Sequence, residues 1–155
     1  MAEAKAIIDS WYKPMPKVKK WMDTQRKKPI LGKPCISLLG RERHFVITNE
    51  KLNHIQNEYV NTPIQSLASD FTMLSLLHIY DWLKEENLDA KIVITVHDSI
   101  ILEVIDDKDI IDKIASKCIE IMSTVPSEYI KGCKVPFKAD ADVGVSWGAL
   151  EEWAM

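Results

Sequence analysis

Apolar positions at helical spacing open the chain. In AEAKAIIDSWY, Ala6, Ile7 and Trp11 share one side of a 3.6-residue period and no glycine interrupts them, so a helix is predicted that stops near Pro14. A second run, PKVKKWMDTQRKK, begins with Pro16 at a favourable first-turn position, with Val18, Trp21 and Met22 inward and Lys17, Lys19, Lys20, Arg26 and Lys27 outward. CISLLGRERHFVI then offers two short β-prone runs around Gly40-Arg41, which predicts a hairpin or bent strand with arginines at its tip. From Asn49 the helical period returns and runs to the EEN at 85–87, and Pro63 should kink the helix by removing one backbone donor. Its apolar residues (Ile64, Leu67, Phe71, Leu74, Ile79 and Trp82 among them) cover more than one stripe, so this helix is expected to be the buried spine of the core.

KIVITV and IILEV, rich in Ile and Val, are separated only by His97-Asp98-Ser99 and predict a buried β-hairpin. Asp106 or Asp107 can cap the next helix, DDKDIIDKIASKCIEIMS, whose Ile110, Ile114, Ala115, Cys118 and Met122 make an apolar face ending before Pro126. The chain closes with VPFKADADVGVSW, expected to be an alternating strand with Asp140 and Asp142 on one side. This order of elements predicts an α+β fold, helices packed on a small antiparallel sheet.

The 155 residues, 46% hydrophobic and 28% charged, fit one soluble domain with an ordinary core. No apolar run approaches the roughly 20 residues that span a bilayer, and the N-terminus lacks a signal-peptide pattern. Three widely spaced cysteines, Cys35, Cys118 and Cys133, suggest neither a disulfide framework nor a zinc site, so a reducing cytoplasm is expected. The net charge of -3 hides an uneven distribution: residues 1–50 hold 11 Lys+Arg against 5 Asp+Glu, residues 51–155 hold 9 against 18. A phosphate-contacting part beside a cation-collecting one would look like this, and so would ordinary solvated helix faces.

Two constellations could carry chemistry. His97-Asp98 sits between runs almost free of ionisable residues from Lys91 to Glu103. An aspartate there can bond the amides of its own turn, or it can act as a rigidly held ligand for a hard cation such as Mg²⁺. A second carboxylate would then be needed, and Asp140 and Asp142 qualify if the last strand pairs beside the hairpin; otherwise they are a solvated strand face. Asn57, Asn61 and Gln65 recur at i, i+4 and i+8 on one face of the long helix. Such amides form a polar stripe facing water, or donate to the minor-groove acceptors of base pairs with little sequence preference.

Taken in order, LLGRERHF (38–45), NTPIQSLASD (61–70), TVHDSIILEV (95–104) and ADVGVSW (141–147) resemble the C-terminal end of family A DNA polymerases. The resemblance covers nearly the whole chain. It implies that the chain is the C-terminal part of a polymerase palm with the end of the fingers, a single domain over 1–155 with a basic helical and hairpin part at 1–50 and a palm core at 51–155. By that resemblance Asp98 corresponds to the motif C metal ligand and His97 to its neighbour near the primer terminus. Asn61 and Gln65 correspond to helix amides that follow the minor groove, and Arg41 and Arg43 to basic residues close to DNA or the fingers.

Two positions depart from the family pattern. Ser99 stands where a glutamate is common, and Asn57 where an arginine is frequent. Nothing in the chain resembles motif A or motif B. The resemblance therefore implies template-directed nucleotidyl transfer on primer-template DNA and dNTP with two Mg²⁺ ions, completed by a second polypeptide carrying motifs A and B, as in a phage-type split polymerase acting in the bacterial cytoplasm. Lys19, Lys20 and Asn57 join the DNA-contact candidates, and exposed Trp11, Trp21 and Trp82 are expected to form the docking face for that second polypeptide. The other reading is a non-catalytic palm remnant that binds DNA or a replication protein.

Overall fold

Proline at the first turn and the cations Arg26 and Lys27 in the last define the second helix, because a missing N–H costs nothing at N1 and cations complement the carbonyl end. The structure, a computed structural model, describes residues 2–154. Its helices are α1 (Ala2–Tyr12), α2 (Pro16–Lys27), α3 (Leu52–Glu85) and α4 (Lys108–Tyr129). Its strands are β1 (Cys35–Ile36), β2 (Glu42–Arg43), β3 (Ala90–Val96), β4 (Ser99–Val104), β5 (Asp142–Val143) and β6 (Glu151–Glu152). The α+β class is as expected, but the strands form three separate two-stranded antiparallel sheets: β1-β2, β3-β4 and β5-β6. No helix among the described residues is long and apolar enough to cross a membrane.

The chain gathers into two compact units, residues 1–67 and 68–155, and the division falls inside α3. In the first unit, Cys35, Ile55 and Tyr59 form a small buried cluster capped by Phe45, and the Tyr59 hydroxyl donates to the Lys33 carbonyl at 2.9 Å. Burial holds both the Cys35 thiol and the Tyr59 hydroxyl above their ordinary pKa values. The inward face of α2 differs from its apolar pattern. Gln25 is buried while Val18 and Trp21 are 44% and 36% exposed, so the helix is rotated toward its Gln25 side. Hydrophobic spacing identifies a stripe; it cannot say whether the neighbour that covers it lies within these residues.

In the second unit, Ile79 and Leu83 of α3 meet Ile114, Ile121 and Val125 of α4, with Ala90, Ile92, Ile100, Leu102 and Val104 of the β3-β4 hairpin packed against them. Asp107 caps α4, accepting from the amides of Asp109 at 3.0 Å and Ile110 at 3.2 Å. Pro126 was expected beyond the end of α4, yet it is buried inside the helix, which continues to Tyr129. Likewise α3 runs unbroken through Pro63. It is buried on one side only: Ile64, Leu77 and Tyr80 are each more than half exposed. Trp82 packs partly buried on the core cluster of its own unit, in contrast to exposed Trp11 at 60%.

The hairpin is also covered on one face rather than two. A register shift between Ile92 and Ile94 leaves Ile94 opposite Ile101, so the alternation changes side at Val93, and Val93 and Ile94 are 60% and 46% exposed. The expected long closing strand shrinks to Asp142-Val143, paired with Glu152 and Glu151. There the Ala149 carbonyl lies so close to Gly144 that a Cβ would collide with it, so glycine is required by close approach. Trp153 ties this end to α4 through its indole N–H and Asp112 Oδ1 at 2.8 Å.

Candidate functional site

Strand β3 ends at Val96, which pairs with Ser99 across a two-residue turn made of His97 and Asp98. A right-twisted hairpin closes over two residues only if the first takes a positive φ or both do, and His97 does so at +55°. Glycine would hold that conformation without strain; histidine holds it at a cost of about 1 kcal/mol. The consequence is that Asp98 sits at an exposed tip whose stem is anchored on the core by Ile100, Leu102 and Val104. An ionised carboxylate there is an acceptor-only group with its backbone fixed, the kind of donor a hard cation takes.

The last strand does not pair beside the β3-β4 hairpin. Asp142 pairs with Glu152 rather than with the β3-β4 hairpin, and Asp140 lies outside any strand. Among the described residues no group of three or more His, Cys, Asp or Glu could hold a metal ion.

The amides Asn57, Asn61 and Gln65 are all exposed on α3, as their spacing of four predicts. Beside them, Glu58 and Thr62 repeat the same spacing and receive the β1-β2 hairpin. Arg43 pairs with Glu58 at 2.7 Å, donates to the Thr62 hydroxyl at 2.9 Å, and lies over the Phe45 ring at 4.7 Å. Its guanidinium is thus engaged with α3. The tip of the same hairpin is held by Ser37, whose amide donates to the Arg41 carbonyl at 2.8 Å while its hydroxyl accepts from the Arg41 amide at 3.0 Å. Gly40 turns that tip with φ of +87°.

Lys19 and Lys20 lie on α2 beside a cleft of about 540 Å³ between α1 and α2, which Tyr12, Lys13, Asp23 and Lys27 also line. Lys19 pairs with Asp9 at 3.1 Å, so part of its charge is compensated. One residue that pattern reading passed over is Arg26. Its guanidinium donates to Asn57 Oδ1 at 3.4 Å, and its carbonyl accepts from Gln56 Nε2 at 2.9 Å. Only its basic character was visible in the sequence, because residues 26 and 57 meet through the tertiary fold.

The scaffold is that of a polymerase domain. It superposes on the POL domain of Pol1 from M. smegmatis, solved in complex with DNA primer-template and dNTP, with a TM-score of 0.69 and 19% sequence identity, over 80% of this chain and 22% of that one. Residues 1–149 match the family described as DNA polymerase family A, and the chain belongs to that family. Among similar proteins, the DNA polymerase of Bacillus phage SP01 is 34% identical over 94% of the chain and 16% of its own length. DNA polymerase I A, chloroplastic/mitochondrial, of Arabidopsis thaliana is 34% identical over 65% of the chain and 10% of its own length. The chain thus spans about a sixth or less of these relatives.

Proposed function

We propose that this chain is the C-terminal palm part of a DNA-directed DNA polymerase and takes part in template-directed nucleotidyl transfer from dNTP to a primer during DNA replication. The observation that carries the reading is Asp98 at the tip of a two-residue turn, on a core-anchored hairpin, in a chain that belongs to family A. In this reading Asp98 is the chain's ligand to the metal site, and His97 sets the turn and neighbours the primer end. Two bound Mg²⁺ ions supply Lewis-acid stabilisation of the attacking and leaving oxygens in such a transfer.

The rest of the chain binds and orients. Asn61 and Gln65 donate to minor-groove acceptors, which occupy similar places in every Watson-Crick pair and so give grip without sequence preference. Lys19, Lys20 and Arg41 meet backbone phosphates, and Arg43 fastens the β1-β2 hairpin that carries Arg41 to α3. The remaining carboxylates and the fingers helix belong to a second polypeptide bearing motifs A and B, and exposed Trp11 and Trp21 lie on the surface that receives it. A phage gene expressed in the cytoplasm of a bacterial host suits this arrangement and the SP01 relative.

The test is primer extension by the purified chain, by a polypeptide bearing motifs A and B, and by the two mixed, with Mg²⁺ throughout. Extension is expected only from the mixture. Extension by the isolated chain would overturn the need for a second polypeptide. Duplex binding without extension by any mixture would favour the non-catalytic remnant.

A further inference from the structure

The amide face of α3 is electrically neutral by itself, since Asn57, Asn61 and Gln65 carry no charge. DNA binding, by contrast, is dominated by phosphate charge, and side-chain amides alone release no counterions. A cation is brought to this face from another element. Arg26, in the last turn of α2, donates an N–H to Asn57 Oδ1 at 3.4 Å, and its own carbonyl accepts from Gln56 Nε2 at 2.9 Å. Two adjacent positions of α3 thus hold the residue, one by its backbone and one by its side chain.

A guanidinium has five N–H donors in a planar fork, and Asn57 takes one of them. The bond to Asn57 orients the fork at the end of the amide stripe while leaving the charge uncompensated by that partner, because an amide oxygen is neutral. This differs from Arg43, whose partner Glu58 is a carboxylate at 2.7 Å.

We propose that Arg26 is a DNA-binding residue of this chain: it contacts a backbone phosphate of the primer-template at the Asn57 end of the amide face. The proposal rests on the assignment of that face to the primer-template groove. It also accounts for the departure at position 57. The positive charge that an arginine there would have supplied arrives from α2, and Asn57 serves as its positioning partner.

The experiment uses the 155-residue chain and a fluorescein-labelled primer-template duplex, with affinity read by anisotropy over a range of salt concentrations. Arg26→Gln keeps the carbonyl that Gln56 bonds, and circular dichroism checks its folding. Each phosphate contact contributes about 0.9 to the slope of log affinity against log salt, so Arg26→Gln should flatten the slope by about that amount and Arg26→Lys should retain most of it. In Arg26→Gln/Asn57→Arg the charge returns on α3 itself, and the slope should recover; this variant also answers for any folding defect in the single change.

An unchanged slope in Arg26→Gln would overturn the proposal, as would weaker binding with the slope intact, which marks a groove contact. If Asn61→Ala weakens binding while Arg26→Gln does not, the amide-face assignment stands and only the role of Arg26 fails. If the parent chain does not bind the duplex at all, both fail.

Discussion

Arg43 and Glu58 form a 2.7 Å ion pair that joins the β1-β2 hairpin to α3, and Thr62, one turn further along the helix, accepts from the same guanidinium at 2.9 Å. The Glu58 side chain is a quarter exposed and that of Arg43 about half, so solvent screens the pair and its worth is modest. Arg43→Gln and Glu58→Gln should each destabilise the chain by about 0.5–1 kcal/mol in urea unfolding, and the double variant should cost less than the sum because both remove one interaction. Additive effects would show that the pair is not a clamp.

Asp98→Asn in the reconstituted enzyme should abolish extension and leave duplex binding nearly unchanged. Asparagine suits a tight turn as well as aspartate, so the hairpin survives, while the charge proposed to hold a cation is lost, a term of several kcal/mol. Retention of activity within about tenfold, or 1.4 kcal/mol, would remove this residue from the ligand set.

For Asn61 and Gln65, alanine substitution should weaken primer-template binding several-fold, about 1 kcal/mol for a lost hydrogen bond, with the salt slope and sequence preference unchanged. Neutralising Lys20 or Arg41 should flatten the slope. Lys19 should flatten it less than Lys20 does, since Asp9 already sits 3.1 Å from its ammonium. Normal binding and fidelity in the amide variants would make that helix face structural.

Burial pushes the Cys118 thiol from its ordinary 9.0 up to about 11. A raised pKa means that the folded chain holds the proton more tightly than the unfolded one. The associated stability is complete below pH 9 and is lost as pH rises toward 11. Iodoacetamide at pH 8 should therefore modify Cys118 far more slowly in the native chain than in urea, as followed by peptide mass. Equal rates would contradict the burial.

Repacking around Ile79, which is fully buried between α3 and α4, sets the stability of the second unit. Ile79→Ala should cost about 2–5 kcal/mol by leaving a cavity. A loss below about 1 kcal/mol in urea unfolding would mean that this contact is loose.

The sequence by itself determined what depends on neighbours a few residues away. Pro16 starts α2, Asp107 caps α4, Gly40 turns the hairpin tip, and Asn57, Asn61 and Gln65 share a face because four residues make about one helical turn. Asp98 at a tight turn was legible for the same reason. Pro126 misled because a proline in the last turns of a helix removes one donor, and burial against the rest of the core offsets that loss. What only tertiary structure decided are the meetings of distant residues: Arg26 with Asn57, Arg43 with Glu58, Trp153 with Asp112, and Asp142 with Glu152 instead of the β3-β4 hairpin. Which side of α2 turns inward, and where Val93 reverses the hairpin's faces, belong with them. Local pattern fixes a period and a cap, whereas the partner across a gap of tens of residues is chosen by the packing of whole elements, and no periodicity encodes it.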